Sequence, residues 1–217
     1  MSLFPIPVFN PPTEFFARIG PVFDIEDPKA MNSMSRAIDM IEGQMFERKV
    51  KFEYGKVGNN TGDVDKKVRS SGVYFVEPNH QIEWVFQTIV ELIARVNYDK
   101  FAMDIDFLEA LQYTSYKAPE KPEETPGHYH WHIDCHQNER RVNERKLSIV
   151  IAVNDPDEYE GGDLLINDSG NQDRPTVVRL RKGEAVVFYS HLGHTVTPVT
   201  KGERRSLVGW VLGPKMR

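Results

Sequence analysis

Residues 128–136 read His-Tyr-His-Trp-His-Ile-Asp-Cys-His and hold four of the chain's seven histidines, one carboxylate and its only cysteine. In an extended strand, side chains alternate between two faces, so His128, His130, His132, Asp134 and His136 would project to one side. Five potential ligands are more than one ion needs. The pair His132 and Asp134 already supplies an imidazole and a carboxylate to a common point. With a second imidazole these would form a facial set of two histidines and one carboxylate, which leaves coordination positions on iron open. Beyond this run only His191 and His194 lie in the later strands, both between VVFYS (186–190) and TVTPV (195–199). The residues alone leave that choice open.

Arg204 follows His194 by ten positions, and Ser206 stands two further on. On a strand crossing a small barrel, Arg204 would lie deep in a pocket with Ser206 on the same face. A guanidinium there offers a fixed fork that suits a carboxylate bidentately. A metal triad beside a buried carboxylate clamp describes a site for a keto acid that chelates iron.

The elements that must carry these groups are mostly strands. Beyond residue 100, strand-like runs such as KLSIVIAV (146–153), GDLLIN (162–167), EAVVFYS (184–190) and RSLVGWVL (205–212) follow at short intervals. Turn signals separate them, including NDPDEYEGG (154–162), NDSGNQD (167–173) and TKGE (200–203). Many short strands with regular turns indicate a sandwich or small barrel. FLEALQYTSY (107–116) alternates like a strand, and the proline- and glutamate-rich KAPEKPEETPG (117–127) reads as a mobile loop.

The first half has a helical texture. Met31, Met34, Ile38, Ile41 and Met45 fall on one face of a helix over about 31–46, with Asn32 or Ser33 as its cap. Ile82, Val85, Phe86, Ile89, Ile93 and Val96 mark a second helix over 80–97, and SGVYFVEP (71–78) reads as a strand. VGNNTGD (57–63) is turn chemistry. The fold class is therefore α+β with an all-β catalytic core.

The formal charge of −5 argues against a surface built for nucleic acid or anionic membrane. The basic run ERRVNERK (139–146) is offset by its own glutamates. One cysteine excludes an internal disulfide framework and suits a reducing compartment. MSLFPIPVFNPP (1–12) lacks the features of a signal peptide, and no apolar run is long enough to span a bilayer. The expectation is a cytoplasmic protein.

This constellation resembles the iron(II)- and 2-oxoglutarate-dependent dioxygenases, in particular their prolyl-4-hydroxylase-like branch. That family carries Y-x-x-H-x-D, a distal histidine, and a basic residue about ten positions later, often within R-x-S. The matching residues here are Tyr129 to Asp134, then His194, then Arg204-Arg205-Ser206. The resemblance covers roughly residues 107–213.

The resemblance implies a double-stranded β-helix (jelly-roll) core over 107–217, with supporting N-terminal helices in a region spanning 1–106. It implies that His132, Asp134 and His194 are iron ligands and that Arg204 holds the distal carboxylate of 2-oxoglutarate. Tyr113 would line the cosubstrate pocket, and Ser206 would be a supporting donor. The implied reaction consumes dioxygen and 2-oxoglutarate, with ascorbate as an accessory reductant. It releases succinate and carbon dioxide while hydroxylating an unactivated C–H bond. A peptide or protein substrate, a peptidyl proline in particular, is expected by analogy alone.

Three features depart from that pattern. Collagen-type relatives use lysine where Arg204 stands. Some relatives carry a tyrosine in the strand that here reads IVIAVN (149–154). The loop before the motif is longer and more acidic than is common. Other readings stay open: a cupin-like metalloenzyme that recruits His128 or His130 and does not use 2-oxoglutarate, or a binding module on the same fold without turnover. A zinc site from His128, His130 and Cys135 fits poorly, because Cys135 has the opposite strand parity. His128, His130 and His136 otherwise fall to the rim.

Overall fold

The computed structural model describes residues 15–23, 26, 33–47, 53–54, 65, 67–135 and 142–215. The expected turn at 57–63, Met31, Asn32, His136 and the first part of the 139–146 run lie outside these residues.

In the first half, β1 (Phe16–Ile19) precedes α1 (Met34–Glu47). Ser33 caps this helix, its hydroxyl accepting from the Arg36 N–H at 3.2 Å. Met34, Ala37 and Ile41 are buried, and Ile38 and Met45 pack half-buried against the same core. Then come the short strands β2 (Glu53–Tyr54), β3 (Arg69–Ser70) and β4 (Gly72–Val76). The second helix, α2 (Glu83–Val96), buries Val85, Ile89, Leu92 and Ile93. Leu92 joins the stripe expected from the sequence, while Phe86 and Val96 sit at its half-buried margin. A single π turn, Asn97–Phe101, ends this helical stretch. No helix among the described residues is long and apolar enough to cross a membrane.

The second half supplies β5 (Phe107–Lys117), β6 (His128–His132), β7 (Asn143–Ala152), β8 (Tyr159–Gly161), β9 (Leu164–Ile166), β10 (Thr176–Val178), β11 (Ala185–Tyr189), β12 (His194–Val196) and β13 (Val199–Pro214). They form two antiparallel sheets. The larger has the order β1-β11-β7-β13-β5-β4-β2, with β8 attached to β13. The smaller has the order β10-β9-β12-β6-β3.

The longest strand, β13, is the spine of the larger sheet and pairs with both β5 and β7. Leu147, Ile149 and Ile151 of β7 and Val186 to Phe188 of β11 are buried, which explains why these runs are apolar almost without interruption. Segments before residue 107 are woven into both sheets: β1 pairs with β11, β4 with β5, and β3 with β6. The stretch after β5 carries turn hydrogen bonds and closes where the Gly127 N–H donates to Lys117 O at 2.7 Å. A Cβ at Gly127 would lie 2.5 Å from Lys117 N, so only glycine permits this approach.

Candidate metal centre and its cavity

The two sheets hold a cavity of about 200 Å³ between them, lined from β5, β7 and β13 on one side and from β6, β9 and β12 on the other. In the smaller sheet His132 of β6 sits directly opposite His194 of β12, which brings their ring centroids to 4.1 Å. Asp134 follows the end of β6. Its N–H and that of Cys135 both donate to Ser190 O at 2.9 Å, fixing this corner against the end of β11.

The Asp134 carboxylate faces both imidazoles, with Oδ1 3.9 Å from His132 Nε2 and Oδ2 3.5 Å from His194 Nε2. All three ligand atoms lie within 4.8 Å of one another.

The hydrogen bonds select the tautomers. His132 Nδ1 lies 2.8 Å from His130 O, and His194 Nδ1 lies 3.0 Å from Leu192 O. A carbonyl can only accept, so each ring carries a proton on Nδ1, which leaves Nε2 as the atom facing the centre that could ligate a metal. The Ser148 hydroxyl donates to Asp134 Oδ2 at 2.7 Å and lies 2.9 Å from Ser190 Oγ.

Burial pushes the His132 imidazole down to about 3, and His194 beside it adds to the effect. Burial by itself would raise the Asp134 carboxyl. The two imidazoles and the Ser148 hydroxyl outweigh it and hold the group below the usual carboxylate range. Two imidazoles and one carboxylate on one side of a point suit a divalent first-row ion such as iron(II).

Regular alternation would put five ligands on one face, and the structure corrects this. The β6–β12 register pairs His132 with His194 but Tyr129 with Val196, so three residue steps on β6 oppose two on β12. That bulge reverses the parity. Tyr129, not His130, shares the face of His132, and their rings stack at 3.5 Å with 19° between planes. His130 is exposed and lies edge-on to His128. His128 is buried, with Nδ1 2.8 Å from Pro126 O and Nε2 3.0 Å from Lys67 O. Neither of its nitrogens is left for a metal. His191 is exposed at the turn and stacks on Tyr189, away from the triad.

Arg204 and Ser206 both line the cavity, and the guanidinium donates from Nη1 to Ser206 Oγ at 3.3 Å. Arg204 is only 7% exposed, and among the described residues no carboxylate pairs with it. A buried charge of this kind requires an anionic partner. Gly162, at φ 64, lies against its stem, where a Cβ would be 3.1 Å from Arg204 Cδ.

Tyr113 is not in the cavity. It lies on the opposite face of β5, buried, and its hydroxyl donates to Glu42 Oε1 of α1 at 2.7 Å. Burial and that carboxylate push the phenol far above its ordinary range. Strand alternation is the reason: Gln112 and Tyr116 line the cavity, and the residue between them on the other parity cannot. Tyr116 pairs with Arg204 across the β5–β13 register, and the guanidinium lies 5.4 Å from its ring centroid.

Reading the sequence also missed Ser148 and Arg69. Ser148 could have been noticed as a lone polar residue within an apolar run. Nothing in the local sequence marks Arg69, which lines the cavity from β3.

A family model described as the 2OG-Fe(II) oxygenase superfamily matches residues 111–212. A PKHD-type hydroxylase of Maricaulis maris is 43% identical over 65 residues, 30% of this chain and 28% of the relative. One from a Synechococcus species is 39% identical over 83 residues, 38% of this chain and 36% of the relative. The aligned stretch thus spans well under half the length of these curated relatives.

Among solved structures, a prolyl-4-hydroxylase of Pseudomonas putida superposes with a TM-score of 0.65 at 19% identity, covering 94% of each chain. A Trichoplax adhaerens prolyl hydroxylase in complex with a hypoxia-inducible-factor peptide fragment gives a TM-score of 0.69 at 16% identity, covering 93% of this chain and 84% of that one. At these identities the superpositions establish a shared fold.

Proposed function

We propose that this chain, whose residues 111–212 match the model of the 2OG-Fe(II) oxygenase superfamily, is an iron(II)- and 2-oxoglutarate-dependent dioxygenase that hydroxylates a peptidyl proline. The observation that carries the cosubstrate is Arg204: a buried guanidinium, paired with no carboxylate among the described residues, in the same cavity as the His132, Asp134 and His194 triad. A dicarboxylic keto acid would satisfy both ends: Arg204 would hold its distal carboxylate, and the triad would hold the metal that takes its keto-acid end.

Each residue has a defined task. His132, Asp134 and His194 would hold iron(II), and Ser148 fixes the carboxylate that faces both imidazoles. When bound, the metal supplies dioxygen activation and oxidative decarboxylation of the keto acid to succinate and carbon dioxide. Arg204, Ser206 and Tyr116 orient the cosubstrate along the cavity. The apolar walls at Val150, Leu164, Val196 and Val208 keep water from the reacting end. Trp210 and half-exposed Phe75 add aromatic surface that suits a pyrrolidine ring. The peptide held by the Trichoplax enzyme lends support to a peptide substrate.

The test is anaerobic reconstitution with iron(II) and 2-oxoglutarate, followed by exposure to oxygen. A charge-transfer band is expected before oxygen and succinate formation after it. Proline-rich peptides should then gain one oxygen atom by mass. Iron-loaded protein that shows no 2-oxoglutarate-dependent band would overturn the oxygenase reading. Succinate formation that no proline peptide accelerates would overturn the proline assignment alone.

A further inference from the structure

Three side chains stack in a column along the cavity wall at the candidate metal centre. The Tyr129 ring lies face to face with the His132 imidazole at 3.5 Å. Against the Tyr129 ring lies the Arg69 guanidinium, 4.5 Å from its centroid. Arg69 is buried, and its Nε donates to buried Ser71 Oγ at 2.7 Å. The backbone holds the column in register, because Arg69 of β3 sits opposite Tyr129 of β6. Thr195 Oγ1 donates to Tyr129 O at 2.7 Å and ties the same residue to β12.

A single hydrogen bond cannot set the plane of His132. Its Nδ1 partner is His130 O, two residues back on its own strand. That contact selects the tautomer but lets the ring pivot about the N–H···O line. The direction of the Nε2 lone pair depends on the ring plane, and only stacked neighbours can restrain that plane. On one side it meets His194 at 4.1 Å and 54°, a tilted contact with little shared area. The near-parallel Tyr129 ring is the flat surface available. Tyr129 is in turn held by a cation over its own ring, itself tethered through Ser71.

We propose that Tyr129 sets the plane of the His132 imidazole and that Arg69, clamped by Ser71, holds Tyr129 in place, so that both are positioning residues for the metal site. The inference rests on the reading of His132, Asp134 and His194 as metal ligands, and it is independent of what the bound metal then does. The two members of the column act with opposite electrostatic sense. The phenol is neutral, whereas the positive charge of Arg69 by itself opposes cation binding. Clamping and charge therefore predict opposite effects of removing Arg69, which makes the two separable.

The experiment uses the full chain stripped of metal, with cobalt(II) as the probe and neither 2-oxoglutarate nor peptide present. Affinity and ligand field are read from the visible d–d bands. Tyr129→Phe keeps the ring and should bind within about threefold of the unsubstituted protein. Tyr129→Leu should weaken cobalt binding by roughly ten- to a hundredfold, the range for groups that orient metal ligands, and should shift the bands. Arg69→Met should weaken binding several-fold despite losing the opposing charge.

Melting curves of the metal-free variants check folding. If Tyr129→Leu does not fold, Arg69→Met and Tyr129→His decide the matter, the latter retaining a flat ring and near-normal affinity. Tyr129→Leu with unchanged affinity and bands, or Arg69→Met with tighter binding, would overturn the proposal. Protein that binds cobalt but forms no 2-oxoglutarate-dependent band with iron would sink the oxygenase reading and leave this one standing. Failure to bind cobalt at all would sink both.

Discussion

Ser148 Oγ lies 2.7 Å from Asp134 Oδ2, so a hydroxyl from the larger sheet orients the carboxylate that closes the metal site on the smaller one. Ser148 is fully buried and also touches Ser190, whose carbonyl receives the N–H groups of Asp134 and Cys135. The two sheets meet at the site itself through this linkage.

Ser148→Ala should therefore weaken divalent-metal binding by about tenfold while leaving the chain folded, since partners of metal ligands typically act on this scale. Calorimetric titration with manganese(II) measures it. Wild-type affinity in Ser148→Ala would show that Asp134 is oriented by its backbone contacts alone.

Arg204→Met should leave metal affinity near the wild-type value and weaken 2-oxoglutarate binding by a hundredfold or more. Truncating one member of a buried, hydrogen-bonded charge pair costs about 2–5 kcal/mol. Titration of the anaerobic charge-transfer band with 2-oxoglutarate separates the two affinities. Arg204→Lys should fall between, because an ammonium replaces a fork with a point charge.

The two tyrosines of β5 should behave differently. Tyr113→Phe loses the hydrogen bond to Glu42, which should cost about 1 kcal/mol of stability without changing the KM for 2-oxoglutarate. Tyr116→Phe should keep the melting temperature and raise that KM. The reverse pattern would place Tyr113 in the cosubstrate pocket after all.

Metal removal should lower the melting temperature. A ligand at a hundred times its Kd stabilises the folded state by about 2.7 kcal/mol, and a chain of this size shifts by roughly 2–4 °C per kcal/mol. Chelator-treated protein should thus melt about 5–10 °C below the manganese-loaded form. His132→Ala should show no such difference. An equal manganese shift in that variant would locate the stabilising ion elsewhere.

Much of the architecture is legible locally. Helical stripes marked α1 and α2 to within a turn, and the apolar runs with their punctuating turns marked β7, β9, β11 and β13. The spacing of His132, Asp134, His194, Arg204 and Ser206 suggested one site, and all five line or border a single cavity. What failed was parity. Tyr113 and Tyr116 lie three positions apart on one strand, so one faces the cavity and the other the helix-covered side, and nothing in LQYTSY says which.

The histidine run posed the same problem more sharply. Its residue types determined that a metal could be bound there, because imidazole and carboxylate are ligands whatever the fold. The choice among five candidates belonged to the tertiary structure. Pairing with β12 forces a bulge between Tyr129 and His132, which brings a tyrosine onto the ligand face and leaves His128 bound to two carbonyls and His130 in solvent. Alternation is a property of a chain by itself, but register and bulges arise from the partner strand. Only the folded sheets decide which two residues of the run are placed where they could hold a metal.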